Sequence, residues 1–408
     1  MKAARLPLEG LRVIEIGELV AGPFAGTLLA EFGAEVVKVE RPGRGDLLRQ
    51  FGPSVNGKSL YWLVNSREKK SVVLDLRLPR GREVLAELIA CSDVLVESLR
   101  PGTFEGWGFD EKTLRGHNPR LVIVYASAFG RRGPYRAKGG YDPIAQGFSG
   151  LSYVTGNPDG PPMRAGGAIP VCDFMTGVLG ALGALLALYE RDARGSGLGQ
   201  AVDAALYDVA FRMLGPLLTF YDLTGEVWER QGNHSLGGAP TGHFRTADGD
   251  WICVSVQSDD QFTRCARLLA HPEWIGDPRF QTLNSRTKHR DVIEAAVADW
   301  VGARRRDLVL RALEEAGLVA GPIYSIAAIA KDEHIAARGT EWHEEPELGR
   351  VRVPAVVPML SRTPGTARRP APAVGADTSD VLSRLLGYSE ERIRALVAHG
   401  VIPSPASG

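Results

Sequence analysis

The chain predicts an α/β protein, with an open Rossmann-like parallel sheet in a large domain and a smaller α+β domain beside it. Three observations carry this expectation. Residues 1–127 alternate short apolar strands with helical stretches, the pattern that builds a parallel sheet through right-handed crossovers. The pattern changes near Gly225, where a hairpin signal is followed by helices. At 408 residues the chain also exceeds what one core ordinarily supports. The expected division is 1–224 for the first part of the large domain and 225–330 for the small domain, with 331–408 returning to the large one.

The elements follow in order. Leu11-Arg-Val-Ile-Glu-Ile-Gly17 reads as a strand and Ala25 to Phe32 as a helix, with Pro23 acceptable in a first turn and Gly33 as its stop. Glu35 to Glu40 completes one β-α-β unit. Strands at 71–76, 93–97 and 121–127 and a helix near 79–90 extend it. A loop rich in Gly and Pro fills 128–172, a length that is usually functional. A long apolar helix follows, and 201–223 is expected to be helical. Gly242 to Ser255 reads as two strands joined by Asp248-Gly249, with helices at 259–270, 288–302 and 306–316. The stretch 349–374 is Pro-rich and expected to be extended, and helices near 378–386 and 389–398 finish the chain.

Bulk properties exclude several classes. Lys plus Arg and Asp plus Glu are equal at 48 each, so no net field favours nucleic acid or an anionic membrane, and neither is expected as a partner. No apolar signal region precedes the first strand, and a cytoplasmic location is the expectation. The apolar run 178–189 is too short to span a bilayer. The four cysteines are scattered, as in a reduced compartment. The eight histidines show no HExxH spacing, so no metal site is expected.

Five features carry possible chemistry, the first two in the same β-α-β unit. Gly17, Gly22 and Gly26 mark the first strand-to-helix turn, where backbone N–H groups can meet an anion, though the dinucleotide fingerprint is absent. Glu40 ends the second strand and Arg41, Arg44 and Arg49 follow, with Lys38 before; this suits a phosphorylated ribose, or else a solvated charged loop. Arg77 and Arg100 follow two other strands and fall on the same carboxyl edge. Tyr141-Asp142 lies between glycines and Pro143, either approaching a ligand or forming a turn. Asp173 opens the long apolar helix, as an N-cap or as a nucleophile; a helix N-terminus favours the ionised form either way.

Together these segments resemble the family III coenzyme A transferases, the CaiB/BaiF group. The resemblance rests on Val20-Ala-Gly-Pro-Phe-Ala-Gly26, Leu28 to Gly43, Gly45-Asp46, Asn65 to Ser71, Asp93 to Ser98 with Arg100-Pro-Gly102, Gly139-Gly-Tyr-Asp142, Asp173 with Thr176-Gly177, and Gly195 to Gln200. It implies an acyl-CoA:carboxylate CoA-transferase with no permanently bound cofactor, taking an acyl-CoA donor and a small carboxylic acid acceptor. Asp173 would be the nucleophile, passing through aspartyl anhydride and aspartyl-CoA intermediates. A Gly-rich loop of the small domain would cover it, here with Gly237 and Gly238 as the flexible part. CoA would be held by Val20, Ala21, Arg41, Leu74, Arg77, Ser98, Leu99, Arg100, Lys138, Tyr141 and Asp142. An interlocked homodimer is implied, with Gly180, Ala181, Gly183 and Ala184 permitting close packing. Val20 and Gly106 depart from the formyl/oxalyl branch, which has glutamine and arginine there. Tyr141 stands where the related α-methylacyl-CoA racemases have a histidine. A racemase or a non-catalytic CoA-binding subunit are the alternatives. Arg131, Arg132 and Arg164 hint at a dicarboxylic acid acceptor.

Overall fold

The computed structural model describes residues 5–235 and 237–404. They form two compact units, one of residues up to 152, 164–226 and from 339 onward, the other of 153–163 and 227–338.

The first unit is built on a six-stranded sheet of β1 (Arg12–Ile16), β2 (Glu35–Glu40), β3 (Lys70–Val73), β4 (Val94–Glu97), β5 (Val122–Ser127) and β6 (Ala201–Ala205). Every pairing is parallel and the order is β3-β2-β1-β4-β5-β6. That is the Rossmann order, and it places a topological switch between β1 and β4. Successive side chains alternate between two cores. Ile14, Val37, Leu95 and Ile123 pack on one face with α2 (Pro79–Ala90) and the C-terminal helices α9 (Thr378–Leu386) and α10 (Glu390–Ala398). Val13, Val36, Val94 and Val124 pack on the other with α1 (Ala21–Glu31) and α4 (Val171–Asp192). Burial on both faces explains why the strands read as apolar runs rather than alternations.

α4 lies close against its neighbours because its inward positions are small. A Cβ on Gly177 would stand 2.8 Å from the Phe24 Cβ and 2.9 Å from the Ala21 carbonyl, and one on Gly183 would stand 2.4 Å from Val202. By length and composition this helix could cross a membrane, which corrects the reading of its apolar run as too short. Its inward face packs in the core against α1 and the sheet.

Two other expectations change. Residues 201–223 are not one helix: Ala201–Ala205 is the sixth strand, followed by α5 (Leu206–Met213) and a helix at Leu217–Thr224. The loop 128–172 contains α3 (Asp142–Phe148). The stretch 349–374 is largely extended as expected, and its first part, Gly349–Pro354, pairs with Thr340–Glu345 in a hairpin.

The second unit carries the expected hairpin, β7 (Thr241–Arg245) and β8 (Trp251–Ser255), with Trp251 opposite Arg245. β9 (Val319–Pro322) pairs with β8, and α6 (Asp259–Leu268), α7 (Arg290–Gly302) and α8 (Arg306–Glu315) cover a core around Ile252, Phe280 and Val297.

Candidate active site

The carboxyl ends of β1, β2, β4 and β5 open into two adjoining cavities in the first unit. One, of about 520 Å³, is walled by Leu19, Val20 and Ala21 after β1, Ser98 to Pro101 after β4, Ala126 to Ala128 at the end of β5, and Lys138 to Tyr141. Asp173 and Leu206 complete it. The other, of about 420 Å³, is lined by Gly17, Arg41, Leu74 to Arg77, Thr103 and Trp107. Glu18, Arg41 and Leu99 belong to both, so the two form one bent groove. Ligands of open α/β sheets bind at this edge, beside the switch point.

Asp173 is not the N-cap of α4. The helix begins at Val171, after Pro170, so Asp173 sits inside the first turn. The capping carboxylate comes from elsewhere: Asp142 Oδ1 accepts the Cys172 N–H at 2.8 Å. Asp142 Oδ2 accepts from Arg164 Nη2 at 2.7 Å and from Gln146 Nε2 at 2.9 Å. Asp142 is only 2% exposed and does not line the groove. It holds the helix terminus from behind, and Asp173 is left facing the cavity. Burial pushes the Asp173 carboxyl up to about 7; the Asp142 charge adds to this and Arg164 opposes it. The expectation that the helix terminus alone keeps Asp173 ionised is thereby corrected, because desolvation outweighs it.

The other sequence-selected residues divide. Val20, Ala21, Ser98, Leu99, Arg100, Lys138 and Tyr141 line the first cavity, Leu74 and Arg77 the second, and Arg41 both. Arg41 pairs with Glu18, and Arg77 with Asp75 at 2.6 Å. Lys138 lies 3.8 Å from the centre of the Tyr135 ring. Among the described residues neither Lys138 nor Arg100 has a carboxylate partner. Other basic residues leave the cluster the sequence suggested. Lys38 is fully buried between Glu15 and Asp46, and Arg49 is bound to Glu40 and stacked on Trp62. Glu40, which lines the second cavity, already accepts from Arg49 and Ser71. Arg131 pairs with Glu97 and Glu105, and Arg164 with Asp142, so neither offers itself to a second carboxylate. The small side chains of α4 meet α1, β5 and β6 within the chain, which accounts for them without a partner.

Gly237 and Gly238 belong to the second unit. Gly238 bridges to Ser235, and a Cβ on it would stand 2.5 Å from Thr241 Oγ1 and 2.8 Å from Gln257 Nε2, so a side chain there would have to displace both. Leu236, between them and Ser235, lies outside the described residues.

Sequence reasoning missed Glu18, Leu19, Ala126 to Ala128, Ile144 and Leu206 as lining residues. The first five lie at or just after strand ends and were within reach of the sheet-edge rule. Leu206 follows the strand that was read as helix.

Fold and groove describe an α/β enzyme class that takes an elongated ligand across the sheet edge and presents a carboxylate at its inner end. The model of CoA-transferase family III matches residues 8–378. The alpha subunit of succinyl-CoA–L-malate CoA-transferase from Chloroflexus aurantiacus is 40% identical over 401 residues, 98% of this chain and 93% of that one. Succinyl-CoA–D-citramalate CoA-transferase from the same organism is 39% identical, covering 97% of this chain and 98% of that one. A CaiB/BaiF family protein from Brucella suis, solved by crystallography, superposes with a TM-score of 0.81 at 30% identity, covering 93% of this chain and all of that one. The chain belongs to CoA-transferase family III. It is a CoA-transferase, acting between an acyl-CoA and a free acid.

Proposed function

We propose that Asp173 is the nucleophile of this transfer. Its carboxylate oxygen attacks the donor thioester carbon, the C–S bond breaks, and CoA leaves as thiolate from a mixed aspartyl anhydride. The thiolate attacks the aspartyl carbonyl and releases the donor acid, leaving an aspartyl-CoA thioester. The acceptor carboxylate attacks that carbonyl and frees the thiolate again. The thiolate then takes the acceptor acyl group and Asp173 is regenerated. No proton is gained or lost, and one thioester is exchanged for another.

The observation that carries this reading is the separation of the two carboxylates at the α4 terminus. Asp142 takes the hydrogen-bonding and ion-pairing work, and Asp173 faces the cavity with no ion pair among the described residues. A desolvated carboxylate is a stronger nucleophile once ionised, since little hydration must be stripped from it. The second cavity, with Arg41 and Arg77 at its rim, suits the phosphorylated nucleotide of CoA. The uncommitted cations Arg100 and Lys138 suit a small dicarboxylic acid as acceptor, and the relatives are named for malate and citramalate. The chain is proposed to act as a homodimer in the cytoplasm; the exposed outward face of α4 supports the dimer.

The test is mass spectrometry of the protein after incubation with succinyl-CoA. A CoA adduct on Asp173, absent in Asp173→Ala, is expected. Full activity in Asp173→Ala would sink the mechanism. An acid panel read by thioester exchange is expected to favour dicarboxylic over monocarboxylic acids.

A further inference from the structure

Four buried charged side chains lie under the groove, with Asp46 reaching the floor of the second cavity. Glu15, Lys38 and Lys69 are wholly buried and Asp46 is 2% exposed. They form a chain of ion pairs: Asp46 to Lys38 at 2.6 Å, Lys38 to Glu15 at 2.7 Å, and Glu15 to Lys69 at 2.8 Å. Two positive and two negative charges cancel. Such a cluster is a poor stability device, because desolvation consumes most of the attraction and an apolar core of equal volume does as well. Its remaining contacts therefore matter more than its ion pairs.

Those contacts converge on one loop. Lys38 Nζ donates to the Gly17 carbonyl at 3.1 Å, and Lys69 Nζ to the Pro23 carbonyl at 2.7 Å. Asp46 Oδ1 accepts the Leu19 N–H at 3.0 Å and also the Leu48 N–H at 2.7 Å. The loop between β1 and α1 is thus held at its start and middle, and the first turn of α1 just beyond it is held as well. Its middle is strained: Leu19 has φ +67°, a region that costs a leucine roughly 1 kcal/mol or more and persists only when the surroundings impose it. This stretch is the wall common to both cavities, with Leu19, Val20 and Ala21 lining one, Gly17 the other and Glu18 both.

We infer that Asp46 is a positioning residue for acyl-CoA, and that the buried quartet exists to hold the β1–α1 loop in its binding conformation. This rests on the reading of the groove as the CoA site. Asp46 touches no reacting atom in this role; it acts through the Leu19 peptide. One oxygen orients the loop, and the other is tied to Lys38 so that the carboxylate cannot turn away.

Two double variants separate positioning from stability. Lys38→Met with Asp46→Asn and Lys38→Met with Asp46→Ala both remove one charge of each sign. The first keeps an oxygen for the Leu19 N–H and the second does not. The KM for acyl-CoA is expected to be about fivefold higher in the second than in the first, the worth of one hydrogen bond. The KM for the acceptor acid should agree within about twofold between them. Equal acyl-CoA KM values, or a shift common to both substrates, overturn the inference. Amide exchange in the unliganded wild-type enzyme tests it without any variant. The Leu19 amide is expected to be protected like those of β1, and exchange at the rate of an open loop also overturns it. Calorimetry of CoA on the wild type distinguishes the two levels. No binding there would end the reading of the groove, whereas binding with equal KM values in the two doubles would end only the role of Asp46.

Discussion

Asp173 and Asp142 lie at one helix terminus and have been sorted by their surroundings. Asp142 is surrounded by donors, and Asp173 by the cavity and by Asp142 itself. With the Asp173 carboxyl pushed up to about 7, kcat/KM for the acyl-CoA should climb about tenfold per pH unit below pH 7 and level off above it. Arg164→Met removes the charge that opposes this rise. The limb should then move to higher pH, by roughly one unit, which a pH–rate profile reads directly. Stability runs the other way. A carboxyl whose folded pKa is raised is harmless below its unfolded pKa near 4; its penalty grows as pH rises from there to about 7 and is constant above. Asp173→Asn should therefore raise the melting temperature at pH 8, by a few degrees, and leave it nearly unchanged at pH 4, while abolishing transfer. That Asp173 opens a helix was legible in its neighbours. That another carboxylate caps the helix was not, because Asp142 is 31 positions away in the chain and only the α3–α4 packing brings it there.

α4 links the site to the core. Its first turn carries Asp173, and one turn later Gly177 rests on Ala21 and Phe24 of α1, the helix that follows the groove loop. Gly177→Ala inserts a methyl where a backbone carbonyl stands 2.9 Å away, so the helices must part. A cost of about 1–3 kcal/mol is expected from such overpacking, seen as a lower melting temperature, with a larger loss in activity than in stability because Asp173 moves with its helix. The β-α-β opening was readable from its buried Val and Ile runs and from Gly33, which stops α1 with φ +104°. β6 was not. Ala201-Val-Asp-Ala-Ala has little β-propensity, and it is a strand because β5 offers a parallel edge in register, Val202 opposite Val124.

Across the whole molecule, the outward face of α4 remains bare. Val178 and Leu182 are each 48% exposed, Leu186 62% and Tyr189 64%, at helical spacing along one side. Apolar surface of that extent marks an interface. The proposed dimer would cover it, and Leu182→Glu with Leu186→Glu should turn a dimer into a monomer in light scattering. A wild-type monomer would refute the dimer. The amino-acid sequence by itself determined the parallel α/β layering, the hairpin unit and the family, because these rest on local periodicity, turn chemistry and short motifs. It also marked most of the groove, since residues after parallel strands must fall on one edge. Only the tertiary structure decided which charges were free to act. Lys38, Arg49, Arg131 and Arg164 look alike in sequence to Arg100 and Lys138, yet the first four are held by carboxylates and the last two are not. An ion pair between distant segments leaves no local pattern, and the pairing is set by packing. The same packing separated the Asp142 that caps from the Asp173 that faces the cavity.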